Sequence, residues 1–138
     1  MGPGPESSSE LPKPTGLGQI EYRLARDSVV REFRRGRLSR LDVCDAHPEL
    51  LRVARNLGHV TEVNCPICES ANLVHVAFAF GPRLPPGGMP LVMNGELHAL
   101  ARRRNDVAFY VIEVCTECSW NHLLRMFTSS RARLRPVG

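Results

Sequence analysis

Cys65-Pro66-Ile67-Cys68 and, further on, Val107-Ala108-Phe109-Tyr110-Val111-Ile112-Glu113-Val114 running straight into Cys115-Thr116-Glu117-Cys118 decide how this chain folds. A C-x-x-C spacing lets a tight turn aim two sulfurs at one centre while backbone N–H groups also face them. Two such turns supply four soft thiolate ligands. That is the closed tetrahedral shell of a structural Zn²⁺, with zinc–sulfur bonds near ~2.3 Å. Cys65, Cys68, Cys115 and Cys118 are therefore the expected ligands of one structural Zn²⁺.

Outward from the cysteines the apolar period is two. Thr61–Asn64 enters the first turn and Leu73–Phe80 leaves it, while Val107–Val114 enters the second and Trp120–Phe127 leaves it. In Leu73–Phe80, Val74, Val76, Phe78 and Phe80 share one face, and Leu73, His75, Ala77 and Ala79 share the other. Each cysteine turn thus joins two strands, the layout of an antiparallel zinc ribbon over residues 60–128. Between the two halves lies loop 81–95, with Pro82, Pro85, Pro86, Pro90 and four glycines. Its Leu84, Met89, Leu91, Val92 and Met93 are apolar for a loop, so it either packs back onto the ribbon or contacts a partner. Asn94 suits the cap of a short helix over 95–104 that ends in Arg102-Arg103-Arg104. The helix dipole favours cations there, and the same triplet would also clamp phosphate.

Upstream the period changes to that of a helix. Over residues 19–35, Tyr22, Ala25, Val29 and Phe33 form an apolar face, and Arg23, Arg26 and Arg34 gather on the adjoining face around Val30. Asp27 lies four residues from both Arg23 and Arg31, so pairing along the helix competes with phosphate contact. Gly36 ends that helix, and Ser39 with Asp42 forms a short capping box for a brief helix over 40–45. Pro48 suits the first position of a further helix, in which Leu50, Leu51 and Ala54 pack, Arg52, Arg55 and Asn56 face out, and Gly58 closes. Helix, turn and helix could read DNA, but no glycine marks the turn and the last helix is short, which favours an ordinary helical bundle. The expected fold is α+β: an N-terminal helical subdomain, 19–59, packed on a C-terminal antiparallel zinc ribbon. A Pro-, Gly- and Ser-rich leader, 1–18, reads as disordered, and a basic tail, 129–138, carries Arg131, Arg133 and Arg135.

A chain of 138 residues has room for one modest domain, so a metal staple would supply a large share of its folding energy. Its 18 basic and 14 acidic residues give +4, which four thiolates and one Zn²⁺ lower to about +2. Arginine accounts for 17 of the 18 basic residues and suits bidentate contact with phosphate. No apolar run approaches the ~20 residues of a membrane span, and no basic-then-apolar leader is present, so the reading is cytoplasmic with no membrane partner. Only Cys44 is left over by the metal, so no disulfide framework is needed.

Enzymatic readings are weaker. Thiol redox catalysis needs an attacking cysteine at a helix N-terminus, whereas Glu69-Ser70-Ala71-Asn72 reads as a turn into a strand. A catalytic zinc needs an open coordination position, which requires one cysteine to be spared or His122 to substitute. Cys44-Asp45-Ala46-His47 brings a thiol, a carboxylate and an imidazole together in sequence, but triads are assembled in space, and Cys44 reads as a small buried apolar residue. Oxidative release of zinc as a redox switch stays open.

Val43-Cys44-Asp45-Ala46 with Pro48, then Cys65-Pro66-Ile67-Cys68, then Glu113-Val114-Cys115-Thr116-Glu117-Cys118-Ser119-Trp120-Asn121-His122-Leu123 resemble a family of small actinobacterial proteins of unknown function. The resemblance covers residues 20–128 and implies a cytosolic actinobacterial protein with both cysteine turns. It implies no activity. By analogy of fold, zinc ribbons dock in transcription and translation machinery. The expected function is thus a non-enzymatic accessory factor that contacts nucleic acid or a nucleoprotein machine. Its expected contacts are Arg23, Arg26, Arg34, Arg52, Arg55, Arg102, Arg103 and Arg104. The alternative is a zinc-stapled protein–protein adaptor using the apolar loop 84–93.

Overall fold

The structure, a computed structural model, describes residues 19–93 and 95–129. The leader 1–18, the tail beyond Ser129 and the Asn94 cap lie outside the described residues. The chain is α+β, an antiparallel sheet carrying helices. In order come β1 (Gln19–Glu21), α1 (Arg23–Arg34), α2 (Arg40–Val43), α3 (Pro48–Leu57), β2 (His59–Asn64) and β3 (Asn72–Phe80). They are followed by β4 (Met89–Leu91), α4 (Gly95–Arg103), β5 (Ala108–Val114) and β6 (Asn121–Thr128). The strand order is β1-β6-β5-β3-β2. β2 pairs with β3 from Asn72 to His75, and β4 takes the same edge further on, from Ala77 to Ala79.

Alternation along the strands sorts the core onto two faces. On one face, Leu73 of β3 packs with Cys65, Cys115 and Trp120 under Val30 of α1 and Val43 of α2. Further along that face, Ala77, Ala79, Phe109 and Val111 pack under Leu97 and Leu100 of α4. The Phe109 and Phe127 rings stack there at 5.1 Å. On the opposite face α3 lays Val53 and Ala54 over Val74, Val76 and Val114. Gly58 lets α3 come that close: a Cβ at this position would sit 2.2 Å from Val74 Cγ1. Beyond α3 on this face, among the described residues, Leu50, Phe78, Phe80, Tyr110, Ile112 and Leu123 line a groove of about 560 Å³.

Local signals in the sequence set several of these boundaries. Ser39 and Asp42 form both halves of the capping box, and Pro48 opens α3 behind a His47 cap. Other expectations change. The helices expected to form one N-terminal subdomain divide between the two faces, α1 and α2 on one and α3 on the other, so α2 and α3 do not pair as a DNA-reading unit. Gln19–Glu21 is a strand rather than the start of a helix, paired with Arg125–Phe127 of β6. The most buried residue of α1 is Val30, so the face carrying Arg26 turns inward while Ala25 is exposed. Loop 81–95 folds back: Met89–Leu91 is a strand, and Leu91 and Met93 are core.

Candidate metal centre

β2 and β3 run into and out of the first cysteine turn, and β5 and β6 do the same for the second. Because β3 and β5 are antiparallel, with Val74 opposite Val114, both turns emerge at the same end of the sheet. The sulfurs of Cys65, Cys68, Cys115 and Cys118 all lie within 4.8 Å of one another. Cys65 Sγ is 3.8 Å from Cys118 Sγ, and Cys68 Sγ is 3.6 Å from Cys115 Sγ. A tetrahedron with metal–sulfur bonds of ~2.3 Å has sulfur–sulfur edges of about 3.8 Å, so the donor set fits a four-sulfur metal site. Backbone N–H groups face the sulfurs as well, from Ile67 to Cys65 at 3.4 Å, Ser70 to Cys68 at 3.4 Å and Cys118 to Cys115 at 3.5 Å.

The thiols do not ionise alike. Burial opposes ionisation of Cys68, but the Ser70 N–H and the neighbouring thiols hold it down at about 7. Burial pushes the Cys115 and Cys118 thiols up, against backbone donors from the turn. Four thiolates in one small volume repel one another, and a cation at their centre is the charge that allows all four to ionise. These four residues could hold a metal ion.

Two layers brace the second turn. Segment 44–46, where the chain passes from one sheet face to the other, lies against it. The Ala46 N–H donates to Ser119 O at 3.0 Å, Asn121 Nδ2 donates to Asp45 Oδ1 at 3.0 Å, and Cys44 Sγ lies 3.5 Å from Cys118 Sγ. Beneath the turn, Trp120 Nε1 donates to Glu113 Oε2 at 2.7 Å, and Arg26 Nε donates to the same oxygen at 2.8 Å. Glu113 is only 2 % exposed, so its carboxylate depends on these donors. His75, opposite Glu113 on β3, is buried, and its Nδ1 has no hydrogen-bond partner among the described residues. Burial first, then the positive charges of His59, Arg23, Arg125 and Arg26, push its imidazole down to about 4.

The arginines expected to meet nucleic acid are dispersed. Arg26 is held by Glu113 and Asp27. Arg23 and Arg34 are exposed on α1, whereas Arg52 and Arg55 belong to α3 on the opposite face. Arg52 pairs with Glu49, and Arg55 reaches Thr116 O of the second turn at 3.5 Å. Arg102 and Arg103 are exposed at the end of α4, and Arg104 is paired with Asp106 at 2.8 Å and with Pro82 O at 2.9 Å. His122 stacks on Trp120 at 6.0 Å and bonds to Leu123 O rather than joining the cysteines. Cys44, Asp45 and His47 have separate partners, His47 Nδ1 accepting from the Glu49 N–H as a helix cap. Sequence reasoning passed over Glu113 and the bracing by 44–46. The signal for Glu113 was its place in alternation with Phe109 and Val111 on a buried strand face.

Residues 15–135 match the family described as "Family of unknown function (DUF5318)". The chain belongs to that family. It is similar to "Uncharacterized protein Rv0049" of Mycobacterium tuberculosis (strain ATCC 25618 / H37Rv), at 40% identity over 114 residues, 83% of each chain. "Uncharacterized protein Mb0050" of Mycobacterium bovis (strain ATCC BAA-935 / AF2122/97) is similar to the same degree, 40% over 114 residues and 83% of each chain. No solved structure matches. The resemblance read from the motifs thus holds at the level of a family of unknown function with mycobacterial relatives. Within this DUF5318 chain, the two motif segments around Cys44 and Cys118, 74 residues apart in sequence, lie in contact. Among the described residues no helix is long and apolar enough to cross a membrane.

Proposed function

We propose that the four-cysteine centre holds one structural Zn²⁺, that the sheet around it is a zinc ribbon, and that the protein is a non-enzymatic accessory factor of nucleic acid or a nucleoprotein machine. The observation that carries this reading is the closed set of four sulfurs within 4.8 Å. Sulfur fills every tetrahedral position, which leaves none for the water that a catalytic zinc requires. The ion would supply cross-linking of two hairpins and compensation of thiolate charge, not chemistry on a substrate.

The nucleic-acid part is supported by charge placement. Residues 23–42 contain seven arginines against three carboxylates, a local excess equal to the +4 of the whole chain. Arg23, Arg31, Arg34 and Arg40 in this segment are exposed. A compact cationic segment beside a rigid metal-stapled end suits phosphate contact. Of the loop 84–93 that an adaptor would use, Leu91 and Met93 are core and Val92 is exposed. The groove beside α3 offers the adaptor reading a second apolar surface.

The test combines zinc content of the purified full chain with titration of labelled single-stranded RNA and duplex DNA across a salt series. Binding is expected to weaken steeply with salt, and each lost phosphate contact in Arg23, Arg31, Arg34 and Arg40→Ala variants to flatten the slope by about one. Absence of binding at ~50 mM salt, or salt-independent binding, would overturn the nucleic-acid reading. Absence of zinc would overturn the metal reading.

A further inference from the structure

Four cysteines complete a tetrahedral shell, yet a fifth stands against it. Cys44 Sγ lies 3.5 Å from Cys118 Sγ, as close as the ligand pair Cys68–Cys115 at 3.6 Å. The approach is fixed on both sides. The Cys44 N–H is tied to Arg40 O at 2.7 Å, the Ala46 N–H to Ser119 O at 3.0 Å, and Asp45 Oδ1 accepts from Asn121 Nδ2 at 3.0 Å. Cys44, Cys68 and Cys118 are half-buried, whereas Cys65 and Cys115 are buried. A small polar oxidant therefore meets the Cys44–Cys118 pair before Cys65 and Cys115, and of the three half-buried sulfurs Cys44 alone lies outside the four-sulfur shell. Cys44 is not needed to complete the shell, so its sulfur keeps its lone pairs for other chemistry.

We propose that Cys44 and Cys118 are a peroxide-reactive pair whose oxidation joins them in a disulfide and withdraws Cys118 from the metal. The inference rests on the reading of Cys65, Cys68, Cys115 and Cys118 as a metal centre. In the first step the Cys44 sulfur attacks the O–O bond of hydrogen peroxide. Cys44 becomes a sulfenic acid, and the departing hydroxide takes the Cys44 thiol proton to leave as water. In the second, the Cys118 thiolate attacks the Cys44 sulfur, its electron pair becomes the S–S bond, and hydroxide departs. One thiol, one thiolate and one hydrogen peroxide thus give one disulfide, one water and one hydroxide, with two electrons passing from sulfur to the O–O bond. The sulfurs must close from 3.5 Å to ~2.05 Å, a movement of about 1.5 Å shared by two side chains. Cys118 then has no electron pair to donate as a thiolate, and three ligands remain.

The experiment treats the zinc-loaded full chain, purified under reducing conditions, with equimolar hydrogen peroxide. Released zinc is followed with a chromogenic chelator. Disulfides are mapped by mass spectrometry after cleavage with trypsin and a glutamate-specific protease, which separates Cys115 from Cys118 at Glu117. The expected product is a Cys44–Cys118 disulfide formed in step with zinc release, and Cys44→Ser is expected to keep zinc but release it at least ~10-fold more slowly. Cys44→Ala serves as a second variant, and Trp120 emission checks that both are folded. Equally fast release from the folded Cys44 variants, or a disulfide among Cys65, Cys68 and Cys115 instead, overturns this inference and leaves the metal reading standing. A reduced preparation without zinc overturns the metal reading and the inference together.

Discussion

In the first cysteine turn the Glu69 N–H returns to Cys65 O at 3.1 Å, and in the second the Ser119 N–H returns to Cys115 O at 3.0 Å. Glu69 and Ser119 both adopt left-handed backbone, with φ of 58° and 76°, although neither is glycine. Such conformations cost roughly 1–2 kcal/mol per residue, so each turn needs an external hold. Here the turns part. Among the described residues the hydrogen bonds that support the first are local, from the Cys65 N–H to Ala71 O, the Ser70 hydroxyl to Cys68 O and the Asn64 amide to Ala71 O. The second has the 44–46 segment across it, Arg55 on Thr116 O, and Trp120 anchored on Glu113. The motif supplies ligand geometry twice over; the surroundings decide which half is held without a metal.

Metal removal should expose that difference most strongly. Structural zinc contributes on the order of 10 kcal/mol in small domains, comparable to the whole stability of a chain this size. Chelation is expected to raise amide exchange first across Cys65–Ala71 and later across Cys115–Trp120, with a red shift of Trp120 emission as the second turn follows. Equal loss at both turns would mean that the bracing of the second contributes little, and a chelated protein with unchanged protection would remove the metal from the account.

The anchor beneath the second turn comes next. Glu113→Ala leaves the Arg26 guanidinium and the Trp120 indole N–H buried without their shared acceptor. Breaking such a pair by removing one partner typically costs about 3–5 kcal/mol. The denaturant midpoint should fall accordingly while any metal content of the purified chain is kept. A double variant, Arg26→Met with Glu113→Leu, should recover much of the loss, because it removes the unpaired charge along with its partner. A Glu113→Ala cost below ~1 kcal/mol would place the hold on the second turn in the 44–46 segment and Arg55.

What the sequence made legible follows from the range of each interaction. The cysteine turns, the Ser39–Asp42 box and Pro48 at the start of α3 are local, and spacing or residue type discloses them. The alternation of β3 likewise separates Leu73 and Ala77 from Val74 and Val76. The orientation of Arg26 was not legible, because its partner Glu113 is 87 residues away and nothing within α1 distinguishes an arginine bound for a buried carboxylate from one bound for solvent. The short strands β1 and β4, three residues each, carry too little period to be seen alone. Cys44 read as a small core residue because its significance is a distance to Cys118, which only the crossing of the chain between the two faces creates.

The smallest expected effect concerns the residue that the first turn's strand places opposite Glu113. β5 brings a carboxylate that two donors satisfy, whereas β3 brings His75, whose Nδ1 is unpartnered among the described residues. Burial, reinforced by His59, Arg23, Arg125 and Arg26, lowers its imidazole to about 4. The unfolded chain binds this proton near ~6.5 and the folded chain resists it, so the contribution is intact above that pH and is lost as pH falls towards 4, by up to about 3 kcal/mol. Acid also protonates the cysteines of the candidate metal centre, so the measurement is the difference in unfolding free energy between wild type and His75→Leu from pH 7 to pH 4. That difference should shift against the wild type by an amount of this order. A flat difference would show that the protonated imidazole finds stabilisation in the fold, which the Glu113 carboxylate opposite it is placed to give. The two strands would then share one buried ion cluster, and the contrast between the turns would narrow to the segment that crosses the second.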